Sequence, residues 1–320
     1  MRDSDLALIP ARRSARALIE RGGPGARFAA EEFFAARLRN PNTRRAYGRQ
    51  AVRFLEWCDA RGLELRDVSP GDAALFIEEL APSVANQKVA LAALRQFFDL
   101  LVTRHAVLLN PFQSVRGPPR GSSDGKTPEI TPRQARELLA SIDCSRPVGV
   151  RDRAILGTLA YTGARVGAVA QLRMRDLRDY GEYRSLRFRE KRGKEREIPL
   201  RIDLDRWLRE YLLFVDSSTE GSTSPLFRPA SAASRSRFSS RSLGPWTIRA
   251  MLKRRLRAAG LPLIITPHSF RAMVVTDLLE QGVPMEDVQY LVGHSHPSTT
   301  QIYDRRARKV TRNVVERISV

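Results

Sequence analysis

Residues 291–303 read LVGHSHPSTTQIY, a stretch that combines a glycine, two histidines and a tyrosine. Gly293 is typical of a helix end, and His294 follows it directly. Tyr303 comes nine residues after His294. His294 and His296 suggest a metal pair, but no carboxylate or cysteine lies close enough in sequence to complete a ligand set. A plain alternative for Tyr303 is a helix tyrosine whose hydroxyl stays in water.

Two upstream segments carry basic side chains where an anion would bind. Residues 161–163 are predicted to end a helix, which puts Arg165 at the start of the next one, where backbone N–H groups favour negative charge. Residues 190–196 predict the tip of a basic hairpin between two strands. The alternative for both segments is an ordinary corner or turn with solvated charges.

A third segment pairs a histidine with an arginine. His268 and Arg271 are three residues apart and therefore share one face of a helix. Pro267 begins that helix, so both groups lie near its anion-friendly first turn. In a chain so rich in arginine, this pair alone is a weak signal.

The charge balance favours a polyanionic partner. The 320 residues carry a net charge of +20, with a pI of about 11.1. Nucleic acid would neutralise that self-repulsion. An alternative explanation of the charge is genome composition. Only six of the 55 basic residues are lysine, and such an arginine-rich mixture is common in GC-rich coding DNA. RNA is disfavoured because no RNA-recognition aromatic signature is visible.

Composition also excludes several classes of protein. Cys58 and Cys144 form no CxxC pair, which argues against a disulfide framework or a structural zinc site. No apolar run approaches the roughly 18 residues that span a bilayer, and the first residues lack a secretion signal. We therefore expect a cytoplasmic protein with no membrane partner. No phosphate-binding GxxxxGK[ST] loop or acidic metal triad is present, so no cofactor is expected.

Helix signals dominate the first third of the chain. Residues 1–25 are predicted to form a basic flexible arm, and residues 26–116 a compact all-α bundle of four helices. Thr43 is predicted to cap the second helix, and Ser69-Pro70 starts the third with Asp72 in its first turn. The predicted helices cover residues 26–39, 43–60, 70–80 and 84–105.

Residues 117–127 are rich in Gly, Pro and Ser and predict a linker. The remainder, residues 128–320, is predicted as a mixed α+β domain with a small antiparallel sheet, within a mainly α, two-domain protein. Two strands are predicted at 183–189 and 197–200. Helices are predicted from Thr131-Pro132, and over 152–160, 202–214, 245–259, 267–281, 284–291 and 308–318.

The order of these signals resembles the tyrosine recombinase/integrase family, which includes the Xer recombinases and lambda-type integrases. The likeness runs from about Phe28 to the C-terminus, and its motifs are ambiguous singly but specific in combination. It implies a core-binding domain, a catalytic domain, and six catalytic positions: Arg165, Lys191, His268, Arg271, His294 and Tyr303. Lys191 is preferred to Lys194 because the family pattern Lys-Glu-Arg-x-Ile-Pro-Leu aligns from Lys194 onward.

One position departs from the family pattern. Many members have an acidic residue three positions after the first catalytic arginine, and this chain has Ala168 there. The acid is thought to brace that arginine, so the resemblance leaves open how Arg165 is held. Asp176 matches a common acidic position further along.

The resemblance also implies the chemistry. Arg165, Arg271 and His294 would hold the phosphate, since an arginine fork fits its oxygens. Tyr303 would attack to form a 3′-phosphotyrosyl intermediate, with His268 helping to accept its proton and Lys191 protonating the leaving 5′ oxygen. The adduct keeps the bond energy, so no metal or other cofactor is required.

The expected partner is double-stranded DNA at recombination sites, bound by a homotetramer on paired sites and by a monomer or dimer otherwise. The DNA-contact candidates lie in the family-like segment 42–47, on the last bundle helix, at the hairpin tip and on the basic helix 245–259. They are Thr43, Arg44, Arg45, Lys88, Arg192, Lys194, Arg249 and Lys253.

Alternatives remain within and beyond this interpretation. A regulator that binds DNA without cutting is disfavoured because all six positions are filled, and a monomeric topoisomerase would use related chemistry. The basic arm and the Ser/Arg-rich loop 230–244 favour the integrase of a mobile element over an Xer-like dimer resolvase.

Overall fold

The computed structural model describes residues 13–36, 40–119, 128–189, 195–215, 221–231, 237–294 and 297–301. The chain divides into two compact units, Met1–Ser122 and Ser123–Val320. The division falls within the segment predicted as a linker. Within the described ranges, no helix is long and apolar enough to cross a membrane.

The first unit is helical and is built around a cluster of phenylalanines. Phe54 lies at its centre, with ring centroids 5.0 Å from Phe76 and 5.1 Å from Phe112 in edge-to-face contacts. Its helices are α1 (Arg13–Arg21), α2 (Gly23–Glu31), α3 (Pro41–Asp59), α4 (Pro70–Glu79) and α5 (Val84–Thr103), with a π-helical turn at Glu32–Ala36.

The prediction of a flexible arm over residues 1–25 is wrong for residues 13–25. Ala15, Leu18 and Ile19 are fully buried on one face of α1 and belong to the phenylalanine core. Gly23 has φ 79° and provides the turn into α2, so the glycines there mark a corner between helices. Residues 1–12 lie outside the described part of the chain.

The helix starts follow local capping chemistry. Ser69 caps α4 and Asp72 lies in its first turn, which confirms that predicted start, and the two residues form a reciprocal capping box. Thr43 was predicted to cap the second helix, and this is wrong. Asn40 is the cap, because its Oδ1 accepts from the backbone N–H of Asn42 at 2.9 Å and of Thr43 at 3.3 Å, with Pro41 at the first helical position.

The second unit combines eight described helices with one sheet, which confirms the predicted mixed class. The antiparallel sheet has the order β1 (Leu177–Asp179), β2 (Arg184–Arg189) and β3 (Glu195–Pro199), and β1, only three residues long, was not predicted. The helices are α6 (Pro132–Ala140), α7 (Pro147–Thr162), α8 (Val166–Gln171), α9 (Ile202–Leu212), α10 (Pro245–Ala258), α11 (Pro267–Glu280), α12 (Met285–Val292) and α13 (Pro297–Gln301). The predicted helix at 308–318 lies outside the described residues.

Helix α7 is the buried axis of this unit. It packs against α9 and α11. Asp152, 1% exposed, anchors it by accepting from Arg151 Nη2 at 2.6 Å and from Arg255 Nη2 on α10 at 2.8 Å. Because both carboxylate oxygens meet guanidinium groups, the buried charge is paired. These pairs lie near the start of α7. The helix runs on to Thr162, and the first predicted site residue follows that end.

Candidate active site

Arg165 is placed by the end of α7. Gly163 adopts the left-handed conformation, with φ 56°, and closes the helix. Two residues later, Arg165 is the N-cap residue of α8 and its side chain is exposed. Its Nη2 donates to the backbone carbonyl of Gly293 at 3.3 Å. The predicted helix–corner–helix arrangement around Arg165 is therefore present.

Arg271 lies on α11 and is 1% exposed. Its Nη1 donates to the carbonyl oxygen of Gly163 at 2.9 Å, and its Nε donates to Nε2 of His294 at 3.2 Å. The planar guanidinium therefore links the end of α7 to the residue that follows α12.

His294 follows Gly293, which ends α12 in the left-handed conformation with φ 65°. Gln289 holds the His294 backbone from both sides: the Gln289 carbonyl accepts from the His294 N–H at 3.0 Å, and Gln289 Nε2 donates to the His294 carbonyl at 3.1 Å. The imidazole is 8% exposed, and its Nδ1 lies 2.9 Å from Oγ1 of Thr300.

Burial and the neighbouring arginines lower the pKa of both site histidines and so favour their neutral form. Burial, followed by the charges of Arg271 and Arg165, lowers the pKa of His294 to about 3, with smaller contributions from His268 and Arg196. The side chain of His268 reaches solvent at the first turn of α11. Desolvation by the surrounding protein, then Arg271 and Arg165, lowers its pKa as well. A neutral imidazole can accept a proton.

The structure thus brings together Arg165, His268, Arg271 and His294 from three separate parts of the second unit. The other two predicted catalytic residues, Lys191 and Tyr303, lie outside the described residues, as do Arg192 and Lys194. Sequence reasoning missed Thr300 and Gln289, which hold His294. In the sequence these two residues stand out only by lying close to His294. Closeness in sequence does not show which side chains hydrogen-bond in the folded protein.

Ala168 borders a cleft lined by arginines from the α8–β1 connection and from β2. Asp176, 3% exposed, lies in this cleft, where it accepts from the Arg173 backbone N–H at 2.9 Å and from Arg187 Nη2 at 3.2 Å. The carboxylate of Asp176 is therefore engaged with β2. Arg165 donates to the Gly293 carbonyl.

The DNA-contact candidates that fall within the described residues are on helix surfaces in both units. Arg45 and Lys88 are exposed on α3 and α5, and Thr43 and Arg44 are half-buried near the start of α3. On α10, Arg249 is exposed, whereas Lys253 is half-buried. Lys253 Nζ donates to the carbonyls of Leu263 and of Ile265, the latter at 2.9 Å, which leaves one of its three N–H bonds for another partner.

A buried arginine fork, a second arginine and two neutral histidines suit the binding of a phosphodiester and proton transfer at its oxygens. Among the described residues, no group of three or more His, Cys, Asp or Glu side chains could hold a metal ion. Two guanidinium groups and two imidazoles have the chemistry that a phosphoryl-transfer site needs.

Comparison with known proteins identifies this class. Residues 128–309 match the Phage integrase family, and residues 30–105 match the Phage integrase N-terminal SAM-like domain. The chain belongs to the phage integrase family. It is a site-specific tyrosine recombinase, an enzyme that cleaves and rejoins DNA through a tyrosine.

Relatives and solved structures agree with that membership. Tyrosine recombinase XerD of Corynebacterium glutamicum is 30% identical over 275 residues, covering 82% of this chain and 86% of the relative. Tyrosine recombinase XerC of Anoxybacillus flavithermus is 28% identical, covering 78% and 82%. The fold is similar to that of the XerH site-specific recombinase in its post-cleavage complex with a palindromic difH substrate, with TM-score 0.70, 16% identity, and 92% and 94% of the two chains covered.

Proposed function

We propose that Arg165, Lys191, His268, Arg271, His294 and Tyr303 form the active centre of this recombinase. The observation that carries the proposal is the contact set around Arg271, which joins the Gly163 corner beside Arg165 to the imidazole of His294. Residues that are far apart in sequence meet there because α7, α11 and α12 end or begin at the same place. Preorganised donors of this kind typically contribute several kcal/mol to a transition state.

The reaction follows from these groups. The Tyr303 oxygen attacks phosphorus, a 3′-phosphotyrosyl bond forms, and the P–O5′ bond breaks. The phenol proton passes to His268, whose lowered pKa favours the unprotonated imidazole that can accept it. Lys191 protonates the departing 5′ oxygen, and Arg165 and Arg271 stabilise the charge on the non-bridging oxygens. Rejoining runs the same steps in reverse with a new 5′ hydroxyl.

The DNA partner is double-stranded, and the chain acts on it as a homotetramer on paired sites. Support comes from a structural neighbour, a lambda integrase tetramer bound to a Holliday junction, with TM-score 0.64 and 18% identity. We propose a cytoplasmic integrase of a mobile element. An Xer-like role in resolving circular dimers is the second candidate, favoured by the XerD and XerC relatives.

The experiment is a search for a covalent protein–DNA adduct. The full chain is incubated with labelled DNA from the flanks of its own gene, nicked so that the cleaved 5′ fragment escapes, and the product is separated under denaturing conditions. We expect an adduct that Tyr303→Phe abolishes and that the control Tyr290→Phe retains, since Tyr290 is 72% exposed on α12.

The outcomes separate the hypotheses. An adduct that persists in Tyr303→Phe would place the nucleophile elsewhere. DNA binding without any adduct, on every flank tested, would favour a regulator. Integration of a circular donor compared with resolution of a plasmid dimer then distinguishes the two biological roles.

A further inference from the structure

His294 is contacted at both ring nitrogens, and the two contacts together define its tautomer. Arg271 Nε can only donate, so Nε2 of His294, 3.2 Å away, accepts. The neutral ring therefore carries its proton on Nδ1. That proton is donated to Oγ1 of Thr300 at 2.9 Å. The hydroxyl is thus the acceptor that matches the tautomer Arg271 requires.

Thr300 is well placed for this role. It is fully buried, with 0% exposure, on the short helix α13, which packs against α12. Its neighbour Thr299 on the same helix is exposed. Burying a hydroxyl is costly unless it is hydrogen-bonded, so the bond to His294 accounts for a threonine at this position. Thr300 is also three residues before Tyr303 in sequence.

We propose that Thr300 is a positioning residue that holds His294 as the Nδ1–H tautomer, with Nε2 directed at Arg271. Its effect on DNA cleavage rests on the proposed function of this site, whereas its effect on the imidazole does not. An acceptor at one ring nitrogen of a functional histidine generally fixes the tautomer and the orientation of the ring, and so determines what the other nitrogen can do.

The first test requires no DNA. The chain contains four histidines, so ¹⁵N-histidine labelling of the full protein gives four ring systems, and His294→Gln identifies the signals of His294. We expect the Nδ1–H pattern in the wild type, in Thr300→Ser and in Thr299→Val. In Thr300→Val, which removes only the acceptor, we expect a mixture of tautomers and faster exchange of the ring proton with water.

The second test is adduct formation on the nicked DNA described above. We expect Thr300→Val to slow it on the order of tenfold to a hundredfold, the range found for outer partners of metal-bound histidines, with DNA affinity unchanged. Thr300→Ser should restore the rate. Where valine prevents folding, Thr300→Ala replaces it in both tests.

The ¹⁵N spectrum of His294 and the rate of adduct formation can contradict the proposal independently of each other. A wild-type tautomer and exchange rate in folded Thr300→Val would overturn the positioning role, whatever the cleavage result. A disturbed tautomer with wild-type cleavage would also overturn it as a role in the reaction. No adduct in any protein, wild type included, would count against the proposed function and leave the spectroscopic result to decide the inference.

Discussion

Arg271 Nε donates to Nε2 of His294 at 3.2 Å, so the lone pair of this imidazole faces a permanent cation. The direction of the pKa shift of His294 follows from burial, which penalises a charge on the ring, and from Arg271 and Arg165, which that charge would face. The contact with Arg271 also means that His294 must change its protonation state or its partner before Nε2 can donate to a phosphate.

The first prediction concerns stability against pH. The pKa of His294 is about 3 in the folded protein and 6.5 for the unperturbed group, so below pH 6.5 the unfolded chain binds a proton that the folded chain rejects. This contribution to stability is complete above pH 6.5 and is lost as the pH falls towards 3. Each pKa unit of difference between the folded and unfolded states corresponds to about 1.4 kcal/mol in the free energy of unfolding. Urea unfolding of wild type and His294→Gln should show a difference that shrinks as the pH falls.

Acidic residues titrate in the same window, but they are common to both proteins and cancel in that comparison. The two proteins also share the charged and titratable groups that face residue 294, which are Arg165, His268, Arg271 and Arg196. Parallel stability curves for the two proteins between pH 7 and 4 would show that His294 is protonated normally in the fold.

The second prediction is that an anion in the site raises the pKa of His294. A phosphate between Arg165 and Arg271 would offset their charges and favour the imidazolium, which can then donate from Nε2. The measurement is a ¹⁵N titration of His294 in saturating inorganic phosphate, with chloride at equal ionic strength as the control. An unchanged pKa would mean that His294 does not face the bound anion.

The third prediction concerns the shape of the Arg271 side chain. Arg271→Lys keeps the charge but cannot bond Gly163 and His294 together from one planar group. We expect adduct formation to fall by roughly a hundredfold or more, as for loss of a preorganised donor. Arg133→Lys is the matched control, because the Arg133 side chain is 84% exposed and pairs with Glu137 on its own helix. Equal losses in both variants would contradict the prediction.

The fourth prediction concerns the corner that carries Arg165. Gly163→Ala would place a Cβ 3.1 Å from Cγ1 of Val292 at a residue with φ 56°. The left-handed conformation alone costs about 1–2 kcal/mol for an L-residue. The carbonyl that receives Arg271 would shift with it, so both the free energy of unfolding and adduct formation should decrease.

Gly167→Ala is the control for that corner, since a Cβ there meets nothing within 4 Å and its φ is not positive. On α8 this change should be neutral or stabilising, by up to about 1 kcal/mol. If Gly163→Ala behaves like Gly167→Ala, the corner is not strained by a side chain.

Much of the architecture could be read from local signals. Ser69 and Asp72 marked the start of α4, and Thr131 marked that of α6, because capping depends on residues three positions apart. The arm over residues 13–25 was misjudged because its glycines look flexible out of context, whereas burial of Leu18 and Ile19 against the bundle makes that segment helical. The three-residue strand β1 exists through its pairing with β2 and had no local signal.

For the site, the amino-acid sequence by itself determined which residue types stand in which order: an arginine after a helix-ending glycine, a His-x-x-Arg pair, and a histidine after a second glycine. Only the tertiary structure decided that Arg271 reaches Gly163 and His294, that Gly293 receives Arg165, and that Thr300 receives His294. The physical reason is that order in sequence reflects local backbone preferences, while hydrogen bonds between residues as far as 128 positions apart depend on how α7, α11 and α12 pack.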